Sequence, residues 1–203
     1  MLPRNPIVPE LWDSIVEKQK DLRLTALTLD PSSFSSTRER EVRFEHKDWE
    51  ARLLNPLVYT LVAIKQDASI ATAISLVDKK GFHRLASQSW LGNAVLYHKE
   101  DKDLAQSSIE NHNDRATFYI EGFYVLPRYR SLGIGASLIQ NCKDYVFSWA
   151  HEHSCKYIKL CVRVYTTNEK AIRLYRKHGF KTSLGKQTSD VIMMDYESEI
   201  PEG

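Results

Sequence analysis

The chain has 203 residues, of which 42% are hydrophobic and 27% charged, a composition typical of a globular domain with its own core. Because 28 Lys and Arg nearly balance 26 Asp and Glu, the net charge of +2 creates no strong field for attracting nucleic acid or anionic lipid. The longest apolar run, residues 57–64, is far shorter than the ~20 residues of a membrane-spanning helix. We therefore predict one domain over residues 1–203 that binds neither nucleic acid nor membrane, and we leave a homodimer open.

The amino-terminal segment and the cysteines predict the compartment. Residues 1–13 contain three prolines and lack the charged start and apolar centre of a signal peptide. Three cysteines, Cys142, Cys155 and Cys161, cannot all pair within one chain, which suits a reducing compartment. We expect free thiols and a cytoplasmic protein, with the nucleus as the open alternative.

Hydrophobic periodicity predicts alternating helices and strands along the chain. A helical pattern over residues 10–29 stops at Asp30-Pro31, because proline disfavours helical geometry in the residue before it. The other predicted elements are a strand over 58–65 with a hairpin partner over 69–77, a central strand over 117–125, a helix after Gly135, a strand over 157–164, a helix from Asn168 to Gly179, and closing strands over 180–186 and 190–196. This order predicts a mixed α/β sheet with at least one right-handed crossover.

Residues 79–115 differ in composition from the rest of the chain. An apolar island, Trp90 to Tyr97, is followed by a long charged and amide-rich run. Long polar connections inside a compact domain are usually either functional or disordered. We predict a loop insertion at about residues 79–115, with a specificity-determining loop and a disordered insertion as the two interpretations.

The most informative segment is the glycine-containing turn at residues 125–136, where a predicted strand leads into a helix. A helix start presents unpaired N–H groups and a partial positive charge, and glycine lets the backbone come close to a phosphate. Gly133 and Gly135 therefore form part of a phosphate-binding turn, or else they only shape the connection. The segment has no Gly-Lys-Ser/Thr of a Walker loop, and Leu138 stands where a dinucleotide fingerprint needs a third glycine or alanine.

Two motifs in this half of the chain resemble signatures of the GCN5-related N-acetyltransferase (GNAT) superfamily. The first, Arg/Gln-x-x-Gly-x-Gly/Ala, is matched by Arg130, Gly133 and Gly135. The second, N-x-x-A-x-x-x-Y-x-x-x-G-F, is matched by residues 168–180. Ser131 departs from the glycine that is commonest at its position. The resemblance implies a GNAT-like fold, in which a mixed and mostly antiparallel central sheet is flanked by helices.

Locally the chain is most similar to diamine (spermidine/spermine) acetyltransferases, which carry a glutamate and a tyrosine at the positions of Glu121 and Tyr175. The resemblance implies acetyl-CoA as co-substrate, no metal, and a primary amine of a small molecule, peptide or protein as acceptor. The end of the predicted central strand, residues 123–125, would pair with the pantetheine arm, and the glycine-containing turn would hold the pyrophosphate. The predicted helix that begins at Asn168 would line the arm. The implied cofactor-binding residues are Phe123, Tyr124, Val125, Arg130, Ser131, Leu132, Gly133, Ile134, Gly135, Ala136, Asn168 and Ala171.

Two residues are candidates for the proton transfers. An amine of pKa near ~10.4 is only about one part in a thousand neutral at pH 7, so a base that removes its proton helps the reaction. Glu121 is the candidate base, directly or through water; the alternative is a carboxylate on a solvated face, because alternate strand residues point outward. By the resemblance Tyr175 is the general acid for the departing thiolate; the alternative is a tyrosine that only packs in the core.

Three other interpretations stay open. Cys161 could form an acetyl-cysteine intermediate, although a thiol in an apolar strand usually just packs. The cluster at residues 151–155, His-Glu-His-Ser-Cys, could suggest a metal, but it lacks a second ligand pair at zinc-like spacing. A noncatalytic acyl-CoA-binding or regulatory module of the same fold is the third, since fold does not fix function. We predict an N-acetyltransferase that transfers the acetyl group directly within a ternary complex.

Overall fold

The structure is a computed structural model that describes residues 8–65, 70–71, 79–99, 114–183 and 188–200. Its helices are α1 (Pro9–Leu29), α2 (Arg38–Glu41), α3 (His46–Leu54), α4 (Lys79–Ser87), α5 (Ile134–Glu152) and α6 (Glu169–Lys177). Its strands are β1 (Val58–Lys65), β2 (Ile70–Ala71), β3 (Trp90–His98), β4 (Arg115–Val125), β5 (Tyr157–Tyr165), β6 (Lys181–Thr182) and β7 (Val191–Glu199). None of the helices in these ranges is long and apolar enough to cross a membrane.

The predicted α/β class is confirmed, and most predicted elements are observed. Helix α1 is continuous from Pro9 to Leu29, and β1 has the predicted bounds. Strand β2 pairs antiparallel with β1 through Ile64↔Ala71, as the predicted hairpin requires, whereas residues 72–78 lie outside the described residues. Strands β6 and β7 form the predicted closing pair. The three cysteines are free and buried, as expected.

Residue contacts divide the chain into two compact units. The first unit contains residues 1–95 and 122–138, and its strands lie in the order β2-β1-β3 followed by the end of β4. Its core collects the apolar face of α1, the buried Trp49 of α3 and the inner side chains of α4. These helices bury their apolar stripes because each repeats apolar residues at helical spacing.

The second unit contains residues 96–121 and 139–203, with strands in the order β4-β5-β7-β6. Strand β4 is parallel to β5, from Arg115↔Tyr157 to Ile120↔Val162, and β5 is antiparallel to β7. Parallel neighbours need a long connection, which helix α5 supplies between β4 and β5. Helix α5 packs on β4 through Trp149, whose ring centroid lies 5.3 Å from that of Phe118.

The prediction of a loop insertion at 79–115 is wrong for its first half. Residues 79–98 form helix α4 and strand β3 instead of a loop. Phe82 and Leu85 of α4 are buried, and the indole Nε1 of Trp90 donates to the Leu85 carbonyl oxygen at 3.0 Å, which fixes the helix-to-strand corner. Residues 100–113, the charged part of the predicted insertion, lie outside the described residues.

Candidate active site

The turn that follows β4 has the backbone geometry expected of an anion-binding turn. A short 3₁₀ helix, Pro127–Tyr129, leads to Ser131 and Gly133, with φ angles of 64° and 80°. Glycine adopts this left-handed geometry easily, which explains why glycine is common where Ser131 stands. A Cβ atom at Gly133 would meet nothing within 4 Å. Helix α5 begins at Ile134, so its first N–H groups lack intrahelical partners.

Arg130, predicted to bind the cofactor, directs its guanidinium at the protein itself. Its Nη2 and Nη1 atoms donate to the two carboxylate oxygens of Asp30, at 2.7 and 3.3 Å, and its Nε atom donates to the Val125 carbonyl oxygen at 2.9 Å. The Tyr124 hydroxyl also donates to Asp30, at 3.0 Å. Burial and then the Asp30 carboxylate raise the pKa of Tyr124 to about 12, so this hydroxyl stays protonated at neutral pH.

The end of β4 is also held by an unusually close approach of β3. A Cβ atom added at Gly92 would lie 2.5 Å from the Tyr124 carbonyl oxygen and 3.1 Å from the Val125 Cα atom. The Leu126 N–H donates to the Leu91 carbonyl oxygen at 2.9 Å, just beyond this contact. Only glycine lets the two backbones approach this closely. Gly92 is not among the predicted site residues, although a glycine inside an apolar run is a usable signal of close backbone approach.

Helix α6 carries three of the predicted site residues in the second unit. The Asn168 side-chain oxygen accepts a hydrogen bond from the Ala171 N–H at 3.2 Å, so Asn168 is the predicted N-cap. Tyr175, one turn after Ala171, is only 2% exposed, and its ring lies edge-on to Phe180 at 5.3 Å. Burial and then the nearby Cys142 thiol raise the pKa of Tyr175. Its hydroxyl is therefore fully protonated at neutral pH.

A buried lysine that is not among the predicted site residues, Lys143, contacts the C-terminal end of α6. The Nζ atom of Lys143 donates to the His178 carbonyl oxygen and lies 3.6 Å from the centroid of the Tyr196 ring. Burial lowers the pKa of Lys143, and the charge on Asp144 opposes that shift. Lys143 therefore fixes the C-terminus of α6, and with it the helix that carries Tyr175.

Glu121, the candidate base, is exposed on β4. It lies just beyond Ile120↔Val162, the last pair of the β4–β5 register, whereas β5 stays paired with β7 as far as Tyr165↔Val191. The next residue, Gly122, has a φ angle of 54°, outside the strand region. Strand β4 thus changes geometry directly after Glu121.

The predicted site residues are distributed over both units. Residues 123–136, which include the turn, belong to the first unit. Glu121, Asn168, Ala171 and Tyr175 belong to the second. Within the first unit, the end of β4 and the turn are brought together by the Arg130–Val125 hydrogen bond. Within the second, the cap of α6 joins Asn168 to Ala171.

The cysteine and metal alternatives lose support. Cys161 is buried, and burial together with the Asp195 carboxylate raises the pKa of its thiol to about 12. The thiolate is the nucleophilic form of cysteine, so this thiol is poorly suited to accept an acetyl group at neutral pH. Across the described part of the chain, no group of three or more His, Cys, Asp and Glu residues is arranged to hold a metal ion.

Comparison with known proteins identifies the family. Residues 24–180 match the model of the Acetyltransferase (GNAT) family, which is well over half of the chain. This chain belongs to the acetyltransferase (GNAT) family. The match contains both motifs on which the resemblance rested, and it confirms the predicted family.

Curated relatives correct the finer resemblance to diamine acetyltransferases. N-alpha-acetyltransferase 60 of Xenopus tropicalis is 39% identical over 83 residues, which cover 41% of this chain and 32% of that protein. N-alpha-acetyltransferase 60 of Danio rerio is 38% identical over 84 residues, covering 41% and 33%. The chain thus spans about a third of the length of these relatives. Both of these curated relatives are N-alpha-acetyltransferases and not diamine acetyltransferases.

Solved structures agree with the GNAT fold. Arabidopsis thaliana NAA60 in complex with a bisubstrate analogue has a TM-score of 0.53 at 19% identity, covering 91% of this chain and 94% of that one. A GNAT-family acetyltransferase from Streptococcus pneumoniae has a TM-score of 0.52 at 17% identity, covering 90% and 94%. At these identities the similarity concerns the fold alone, and it confirms the mostly antiparallel sheet flanked by helices.

Proposed function

We propose that this protein transfers the acetyl group of acetyl-CoA to a primary amine, with the α-amino group of a peptide or protein as the acceptor. The observation that carries the proposal is the turn after β4, with Ser131 and Gly133 in left-handed geometry and open space at Gly133, in a member of the acetyltransferase (GNAT) family. The names of the curated relatives support an α-amino acceptor. The three free thiols support a reducing compartment, so we keep the cytoplasm, or the nucleus, as the proposed location.

In this proposal the backbone supplies most of the cofactor contacts. The N–H groups at the start of α5, residues 134–136, and the preceding turn residues would bind the pyrophosphate. The backbone of residues 123–125 would pair with the amides of the pantetheine arm in the manner of an added strand. Asn168 and Ala171 would line the arm from α6.

Acetyl transfer in this proposal forms a carbon–nitrogen bond and breaks a carbon–sulfur bond, while one proton leaves the acceptor nitrogen and one reaches the departing sulfur. The acceptor nitrogen attacks the thioester carbonyl carbon, and the carbon–sulfur bond breaks as the amide forms. Glu121, which is exposed, would take the proton from the acceptor nitrogen directly or through one water. Tyr175, whose hydroxyl is protonated at neutral pH, would give its proton to the departing thiolate of CoA.

The proposal is tested by thiol release from acetyl-CoA with three amines and the purified full chain. These are a peptide with a free N-terminus, the same peptide with a blocked N-terminus and a free lysine, and spermidine. We expect thiol release and an acetylated α-amino group with the first. Release with spermidine alone would overturn the α-amino acceptor. If calorimetry showed binding of acetyl-CoA but no amine gave thiol release, the protein would be a noncatalytic acyl-CoA-binding module instead of an enzyme.

Gly133→Ala is expected to raise the Kd of acetyl-CoA about tenfold or more, because its methyl group projects into the open space beside the turn and keeps the pyrophosphate from the N–H groups. Gly179→Ala is a matched control. Gly179 has a similar φ angle of 83°, so both substitutions carry a similar backbone cost, about 1–2 kcal/mol. Calorimetry would show the loss of affinity for Gly133→Ala only; equal losses in both variants would refute the turn as the phosphate site.

A further inference from the structure

Arg130, the first residue of the turn motif, has all of its observed side-chain hydrogen bonds within the protein. Its guanidinium forms a bidentate pair with Asp30, the residue at the C-terminal end of α1, which is 100 positions away in the sequence. The Asp30 N–H donates to the Ala26 carbonyl oxygen at 3.0 Å, so the acidic partner is itself anchored to the helix. Bidentate carboxylate pairs of this kind fix geometry as well as contribute energy.

The same two side chains also tie down the strand that enters the turn. The Arg130 Nε atom donates to the Val125 carbonyl oxygen across the 3₁₀ helix, which closes the turn on itself. The Tyr124 hydroxyl donates to the Asp30 Oδ2 atom, and the Tyr124 ring is only 4% exposed and packs on Phe34 at 6.0 Å. The backbone proposed to pair with the pantetheine arm is therefore held at Tyr124 and Val125.

This arrangement disagrees with direct binding of phosphate by the Arg130 side chain. The positive charge is already matched by Asp30, and three of the guanidinium N–H groups are used within the protein. A guanidinium that served the pyrophosphate would have to leave Asp30. A guanidinium that stays with Asp30 instead keeps the turn in one shape, so less conformational entropy is lost when a ligand binds.

We propose that Asp30 is a positioning residue for acetyl-CoA binding, which acts through Arg130 and Tyr124 to hold the end of β4 and the turn at residues 126–133 in their binding shape. The inference rests on the proposed function of the turn. It extends the site to a residue at the end of α1, outside both sequence motifs. It assigns the Arg130 side chain to the architecture of the turn and leaves phosphate binding to backbone N–H groups.

The two roles of Arg130 predict opposite results for Asp30→Asn. If Arg130 positions the turn, the variant raises the Kd of acetyl-CoA about tenfold to 100-fold, because the unpaired turn must be ordered on binding. The value of kcat at saturating acetyl-CoA stays within about twofold of the parent, since the reacting groups are untouched. If Arg130 binds phosphate directly, Asp30→Asn releases its charge, and the Kd falls or stays constant. That second result would overturn the proposal.

A double-variant cycle and a control complete the test. Asp30→Asn combined with Arg130→Gln should raise the Kd by less than the product of the two single effects, because both variants remove the pair between Asp30 and Arg130. Additive losses would contradict an action through Arg130.

Asp21→Asn, on the exposed side of α1, is the control and should leave the Kd unchanged. Thermal melts should show that every variant is folded at the assay temperature. Failure of the parent protein to bind acetyl-CoA would refute the proposed function itself; normal parent binding with an unaffected Asp30→Asn variant would refute only this inference.

Discussion

Glu41→Gln is expected to lower the free energy of unfolding by about 3–5 kcal/mol, because it leaves two partly buried arginines without their anionic partner. The Glu41 carboxylate is 1% exposed at the end of α2. It accepts hydrogen bonds from Arg23 Nε and Nη2 at 3.0 and 2.7 Å and from Arg52 Nη1 at 3.0 Å. This one carboxylate therefore ties α2 to α1 and α3. Chemical denaturation of parent and variant measures the loss.

The same cluster predicts an acid-sensitive fold. Burial alone would raise the pKa of Glu41, but hydrogen bonds from Arg23, Ser36 and Arg52 together with the charge of Arg23 lower it from 4.5 to about 2. Because the folded-state pKa is the lower one, the stabilisation is present above about pH 5 and is lost as pH falls toward 2. Each pKa unit is worth about 1.4 kcal/mol, so Glu41 accounts for about 3 kcal/mol over this window. The Gln variant should have a flatter stability profile there.

Glu39→Gln is the control for this prediction. Glu39 lies on the same short helix but is exposed, so its substitution should change the free energy of unfolding by less than about 0.5 kcal/mol. A loss of stability in Glu41→Gln no larger than in Glu39→Gln would contradict the structural role of the cluster.

The elements with local signals could be predicted from the sequence. Asn168 caps α6 and Gly179 ends it in left-handed geometry, as their residue types indicate. Helix α1 and strand β1 follow the apolar periodicity of their own segments. The turn at Gly133 was predictable for the same reason, since its geometry depends on residues adjacent in the chain.

Features that depend on distant partners could not be predicted in this way. Residues 79–98 form α4 and β3 where the sequence predicts a loop, and the contact that holds β3, the close approach of its Gly92 to the end of β4, joins residues about 30 positions apart. The partner of Arg130 is 100 positions away, so the motif shows the arginine but not what it binds. The partners of Glu41 are 18 and 11 positions away, and no sequence period connects them.

Tyr175→Phe is expected to lower kcat about 100-fold while leaving the Kd of acetyl-CoA nearly unchanged. The substitution keeps the ring, and with it the edge-on contact with Phe180 and the packing of α6. It removes only the hydroxyl, which is protonated at neutral pH. The departing thiolate then has no donor in this position, which slows the breaking of the carbon–sulfur bond. Steady-state rates at saturating acetyl-CoA measure the effect.

The outcome for Tyr175 also separates chemistry from packing, because the phenylalanine variant changes one without the other. Tyr157→Phe, at an exposed position on β5, controls for the loss of a tyrosine hydroxyl from the same unit and should leave kcat unchanged. If Tyr175→Phe also retained the parent kcat, Tyr175 would be a core residue that packs on Phe180, and the proton for the thiolate would come from elsewhere. A reduced kcat with an unchanged Kd and an unchanged melting temperature is the combination expected of a proton donor at Tyr175 and not of a residue that only packs in the core.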